Sequence, residues 1–248
     1  MNYISSNVDD CMENYNLDQD ESDCFVHAYM HRMGATPHLN KEQLYATCSD
    51  FFAAGQETTT TTLRWGILLL VANQDSQDRI RTEVLSVCGK SRLPSMSDRP
   101  KLPYTTAAVH EIQRRANIFM NNLFRVTTVD TELMGHKIPK GTIVNGDIHQ
   151  IMAHDPIFEN PEEFLPERYL IDNGAKLNKD AIERTVPFSV GKRQCAGEGL
   201  ARTELFLAIS ATLQRYRILP SSNHPIDLTP ISNFIIHPQP HNFRIEPV

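Results

Sequence analysis

Phe188-Ser189-Val190-Gly191-Lys192-Arg193-Gln194-Cys195-Ala196-Gly197 is the stretch on which the reading of the whole chain turns. From Thr185 to Cys195 no helical or strand periodicity is visible, so the segment reads as a loop. An amphipathic helix is expected from Gly197 to Tyr216, with Leu200, Leu205, Ile209 and Leu213 on or near one face. The loop therefore delivers a cysteine to the start of a helix. There the positive end of the macrodipole and the neighbouring Arg193 favour the negative charge of a thiolate, and backbone N–H groups can donate to its sulfur. Gly191 allows a tight turn, and Gly197 lets a flat partner approach the helix closely. Arg193 is placed to pair with a carboxylate on that partner, and Phe188 to shield the sulfur from water.

These features together suit a thiolate bound to the iron of a haem. A cysteine alone would not: an isolated one is more simply a small apolar core residue. The spacing FxxGxRxCxG, however, resembles the haem-binding signature of the cytochrome P450 monooxygenases, in which a cysteine thiolate holds the haem iron. Further segments resemble the same family in the same order. Glu111-Ile-Gln-Arg114 lies on an expected helix, Thr105 to Arg115, and its i,i+3 spacing puts both charges on one face. By itself it would pass for an exposed ion pair of little value. The resemblance implies instead a buried structural triad of Glu111, Arg114 and Arg168, the last from Phe164-Leu-Pro-Glu-Arg168.

Ala54-Gly55-Gln56-Glu57-Thr58-Thr59 resembles the family's oxygen-activation segment. An acid beside an alcohol can relay protons towards O2, so Glu57 and Thr58 are the candidate catalytic pair. The plainer reading is a surface acid beside threonines that bond back to their own helix. Arg125 matches a position that, by resemblance, holds a haem propionate. Phe124 stands where a histidine is usual, and the linker Asn117 to Asn122 lacks the usual proline.

The 248 residues weigh 28.2 kDa, and 40% apolar and 22% charged residues are ordinary globular usage, which excludes a collagen-like or wholly disordered chain. The net charge is −6, and it is concentrated: residues 1–50 hold nine acids against Arg32 and Lys41. No basic footprint for nucleic acid is present. The five cysteines (Cys11, Cys24, Cys48, Cys88, Cys195) form no CxxC pair, which argues against a four-cysteine zinc site and fits a reducing compartment. No apolar run reaches the 18 to 20 residues, roughly, that a spanning helix needs, and no signal peptide is visible at the start.

Residues 1–24, with seven acids and no lysine or arginine, read as an acidic, disordered leader. A short helix is expected from Phe25 to about Met33. Asn40 caps a long helix, with Gln43 completing a capping box. Gly55 and the run Thr58 to Thr62, poor in helix propensity, mark an expected distortion within it. Gln77 to Cys88 should be helical, Arg125 to Val129 and Thr131 to Met134 strands, Pro139-Lys140-Gly141 a turn, and residues 155–168 irregular.

The expected fold class is mainly α with minor β, the C-terminal helical part of the cytochrome P450 fold, filling residues 25–248 as a partial domain. The resemblance implies a haem-dependent monooxygenase that inserts one oxygen atom from O2 into a lipophilic organic substrate of xenobiotic, fatty-acid or steroid class. In it Cys195 ligates iron, Phe188 and Gly197 border the haem, and Arg193 and Arg125 hold propionates. It also implies an NADPH-cytochrome P450 reductase as electron donor. The texture (LRWGILLL, HEIQR, IPKGT) is most like the animal microsomal group, which places the protein on the cytoplasmic face of the endoplasmic reticulum membrane. The expected truncation to a C-terminal half, without an anchor, leaves a cytoplasmic location and a non-catalytic haem- or partner-binding remnant as alternatives. A helical protein with chance motifs is the third reading.

Overall fold

A computed structural model describes residues 2–17, 21–221 and 226–248. Of the acidic leader, positions 1 and 18–20 lie outside the described residues. The chain divides into two units, Met1–Glu57 and Thr58–Val248.

The first unit holds α1 (Asn2–Glu13), α2 (Phe25–Met30) and the opening turns of α3 (Lys41–Ala72). The leader thus differs from the disordered segment that its acidity suggests. Ile4, Val8 and Met12 recur every fourth residue and give α1 an apolar face. Val8 is buried with Tyr29 and Leu44, and Val26 and Leu39 pack around them. The acids occupy the other side, where Asp9 accepts from the Tyr45 hydroxyl at 2.5 Å and faces Lys41 Nζ at 2.6 Å. Those two partners, Lys41 first, hold the Asp9 carboxyl below its usual range.

Asn40 caps α3: its Oδ1 accepts from Gln43 N at 2.8 Å. The capping box is only half formed, because the Gln43 amide turns forward to Thr47 Oγ1 at 3.3 Å. The expected distortion at Gly55 and Thr58 to Thr62 does not interrupt the helix, which runs unbroken from Lys41 to Ala72. Weak propensity is outweighed here by burial of Thr61 and Thr62 and by side-chain bonding to the helix itself, with Thr62 Oγ1 donating to Thr58 O at 2.9 Å.

The second unit packs the end of α3 against α4 (Gln74–Cys88), α5 (Pro103–Ala116) and α8 (Glu198–Arg215). Leu69, Leu70, Ile80, Val84, Val109, Ile112, Leu205, Phe206, Ile209 and Leu213 form this core. Two shorter helices, α6 (Ile148–His154) and α7 (Lys179–Glu183), lie between α5 and α8 in the chain. The strands are short and pair antiparallel in twos. β1 (Arg125–Val126) joins β4 (Ile143–Val144), and β2 (Thr131–Leu133) joins β3 (His136–Ile138) across Met134-Gly135, both at positive φ as a tight hairpin requires. β5 (Leu170–Ile171) joins β6 (Lys176–Leu177), and β8 (Pro230–Ile231) joins β9 (His237–Pro238). β7 (Tyr216–Pro220) continues directly from α8 and pairs β10 (Phe243–Pro247). The chain is therefore mainly α with minor β.

Three buried polar contacts fix the helices. Leu102, the residue before α5, offers no capping side chain. Glu83 on α4 does the work from outside, accepting from Tyr104 N and Thr105 N at 2.8 Å each and from Thr105 Oγ1 at 2.7 Å. Gln77, fully buried, exchanges two hydrogen bonds with the Ile218 backbone at 2.9 and 2.8 Å and so ties β7 to α4. Trp65 Nε1 donates to Ile236 O at 3.0 Å.

Gly66 allows α3, α5 and α8 to approach. A Cβ there would meet Ile112 at 3.3 Å and Ile209 at 3.8 Å. Gly66→Val should destabilise the fold by about 1–3 kcal/mol through overpacking. The measurement is urea unfolding, with the midpoint lowered and the slope unchanged.

Candidate haem-thiolate site

The loop before α8 is closed by its own backbone. Cys195 N donates to Phe188 O at 2.9 Å, Gln194 N to Gly191 O at 3.0 Å, and Ser189 N to Val186 O at 3.0 Å. Gly191, at φ +79°, turns the chain through the left-handed region and opens a short 3-10 turn, Gly191–Arg193. Gly197 is the N-cap residue of α8. Cys195, two positions earlier, is exposed and carries a free thiol. A Cβ on Gly197 would lie 3.9 Å from its Sγ, an ordinary contact.

Phe188 is fixed by Arg202, whose guanidinium lies 5.1 Å from the ring centroid. Arg202 also pairs with Glu198 at 2.8 Å and donates to His110 Nδ1 at 3.1 Å and to Gln113 Oε1 at 3.3 Å. An arginine only donates, so Nδ1 of His110 accepts and the ring carries its proton on Nε2. His110 is buried, stacked on Tyr169. Burial first, then Arg202 and Arg99, push its pKa down to about 3. The neutral ring is what lets Arg202 sit there. Sequence reading missed Arg202; the only signal is its i,i+4 spacing from Glu198.

Asn122 Nδ2 donates to Ser189 Oγ at 2.8 Å and so fastens the linker after α5 to the loop. Arg125 follows three residues later on β1, half-buried, with Nη1 donating to Leu123 O at 2.5 Å. Arg193 is exposed. Leu123, Phe124, Val190 and Leu200 are all more than half exposed. An accessible thiol, two guanidinium groups and several uncovered apolar side chains are chemically suited to a flat, apolar, dicarboxylate porphyrin.

Behind α5 the structure brings Glu111, Arg114 and Arg168 together, and Glu111 is entirely buried. Arg114 grips it with Nε at 2.8 Å from Oε2 and Nη2 at 2.9 Å from Oε1. Oε1 also takes Arg168 Nε at 3.2 Å and the Leu165 amide at 3.0 Å. The two guanidinium groups spend their remaining donors on backbone carbonyls of Met152, Glu159, Asn160, Pro161 and Glu163. The proline-rich stretch at 155–168 is thus shaped by this cluster and not by secondary structure, apart from a 3-10 turn at Pro166–Tyr169.

Glu57 and Thr58 are consecutive on α3, Glu57 exposed and Thr58 half-buried. Glu57 closes the first unit and Thr58 opens the second.

The family model for cytochrome P450 matches residues 1–245. The chain belongs to the cytochrome P450 family. Relatives include cytochrome P450 2C11 of Rattus norvegicus, 40% identical over 94% of this chain and 47% of that protein. Cytochrome P450 2K6 of Danio rerio is 41% identical over 84% of this chain and 41% of that protein. Cytochrome P450 2E1 of Oryctolagus cuniculus is 42% identical over 74% of this chain and 37% of that protein. The chain spans about half the length of the curated relatives it matches.

Removing one member of the buried charge cluster leaves the others uncompensated. Arg114→Ala should cost about 3–5 kcal/mol, read from denaturant unfolding. His110 supplies a pH dependence. Its folded pKa lies below the unfolded value of 6.5, so the unfolded chain binds the extra proton between the two. Its contribution is complete above pH 6.5 and is lost as pH falls towards 3. Unfolding free energy measured from pH 7 to pH 4 should fall with acidification, and His110→Gln should flatten that slope.

Proposed function

We propose that this chain carries the haem-thiolate half of a monooxygenase that inserts one atom of O2 into a lipophilic organic substrate. The observation that carries the reading is the exposed sulfur of Cys195 at the mouth of α8, on a loop whose backbone closes on Phe188. When bound, haem would supply the O2 activation, and the Cys195 thiolate would hold its iron. Arg125 and Arg193 would hold the propionates, Gly197 would admit the ring close to α8, and Phe188, steadied by Arg202, would border the bound group. Glu111, Arg114 and Arg168 are positioning residues: they hold the segment before the loop.

Glu57 exchanges protons with solvent from its exposed place on α3, and the adjacent Thr58 hydroxyl passes them inwards. The substrate side is apolar. Ile236 N donates to Ile118 O at 2.9 Å, and Phe119 meets Phe234 edge to face with centroids 5.4 Å apart. These turns suit a lipophilic molecule. Electrons come from an NADPH-dependent reductase, and the place of work is the cytoplasmic face of the endoplasmic reticulum membrane. Among the described residues no helix is long and apolar enough to cross a membrane.

The test is a reduced, CO-bound absorption spectrum of the chain expressed with ample haem. A thiolate-type spectrum is expected, lost together with haem content in Cys195→Ala. Reductase-coupled, substrate-dependent O2 consumption should follow. A thiolate spectrum without that consumption would reduce the chain to a haem-binding remnant, and no thiolate spectrum at all would sink the proposal.

A further inference from the structure

The first unit carries a cluster that the haem-thiolate reading does not use. Cys11 Sγ lies 3.6 Å from Cys24 Sγ and 3.2 Å from His27 Nε2. The three donor atoms all fall within 4.8 Å of one another. We propose that Cys11, Cys24 and His27 form a zinc site.

The separations fit one ion. Two thiolates at 2.3 Å from a tetrahedral zinc stand about 3.8 Å apart, and a thiolate and an imidazole nitrogen about 3.5 Å apart. A disulfide would need the sulfurs about 2.05 Å apart, and both thiols are free. The cluster is also built from behind. His27 turns Nε2 to the sulfurs, and its other nitrogen, Nδ1, lies 2.7 Å from Asp23 Oδ1. That is ion-pair reach, so a carboxylate stands beside the second ring nitrogen, the side from which metal-ligating imidazoles are commonly supported. The Tyr15 ring stacks on His27 with centroids 3.7 Å apart and planes 12° apart, while its hydroxyl meets His31 Nε2 at 2.5 Å. The imidazole therefore has an aromatic ring against its face and a carboxylate near one edge.

Local structure explains how the donors meet. Cys24 is the N-cap residue of α2 and His27 stands in its first turn. Cys11 comes from the last turn of α1, so the ion would join two helices that also share the small core around Val8. Two thiolates and an imidazole make a borderline-soft set that suits zinc over magnesium or calcium. Binding expels the two thiol protons to solvent. Cys24 is exposed, so the cluster is open to an ion from solvent. The spacing, Cys-x12-Cys-x2-His, escapes a search for paired CxxC motifs.

The test uses the full 248-residue chain, reduced, loaded with zinc chloride and dialysed against metal-free buffer. One retained zinc per chain is expected, with zinc-edge X-ray absorption showing two sulfur neighbours at about 2.3 Å. Cys11→Ser and Cys24→Ser should each lose the retained zinc, and Cys48→Ser should keep it, with circular dichroism verifying that each variant is helical. The wild-type absorption spectrum decides the matter even if a variant fails to fold. Loss of zinc on dialysis, a zinc shell without two sulfurs, undiminished zinc in Cys11→Ser, or a Cys11–Cys24 disulfide formed in its place would overturn the proposal. None of these outcomes touches Cys195.

Discussion

The carboxylate of Glu111 is the constraint around which the second unit is arranged. It is fully buried, and a buried charge survives only where it is matched and hydrogen-bonded. Its oxygens accept from Arg114, from Arg168 and from the Leu165 amide. Those two arginines bring five backbone carbonyls with them, so a segment that lacks its own ladder of hydrogen bonds acquires a fixed path. One acid on α5 thereby organises a loop more than forty residues away in sequence. The arrangement is a poor source of net stability and a strong source of uniqueness, because any other path for the loop strands a charge.

α5 serves both sides of that design. Its N-terminus is held by Glu83, its apolar stripe enters the core through Val109 and Ile112, and its polar face carries Glu111, His110 and Arg114. Every residue from Tyr104 to Arg114 is buried. A helix so rich in polar residues can sit at the centre of the unit because Thr105, His110, Glu111, Gln113 and Arg114 each meet a specific partner. Arg202 extends the same logic to α8, joining His110 and Gln113 to Glu198 and to the Phe188 ring beside the cysteine loop.

What could be read from the sequence follows from range. Helices with local signals were legible: the Asn40 cap, the apolar periodicity of α8, and the body of α5, expected from Thr105 to Arg115 and found from Pro103 to Ala116. So was the cysteine loop, because Gly191, Arg193 and Cys195 lie within one short motif. Two readings went astray for the same reason. The acids of residues 1–24 hid the Ile4, Val8, Met12 face, whose value appears only against Tyr29 and Leu44. The threonine run at 58–62 looked helix-breaking, yet burial and self-bonding keep α3 continuous. Contacts made across long separations, such as Glu83 with Thr105, Asn122 with Ser189 and Gln77 with Ile218, left no mark that one sequence displays.

The closure of the cysteine loop has an evolutionary corollary. Phe188 O, Val186 O and Gly191 O receive their bonds from main-chain amides, so the side chains of Val190 and Lys192 are not what shuts the turn. Those two positions are free to drift in charge and bulk while the sulfur keeps its address. A lineage could therefore rework the outward surface of this loop, and whatever docks there, without retuning the ligand beneath it.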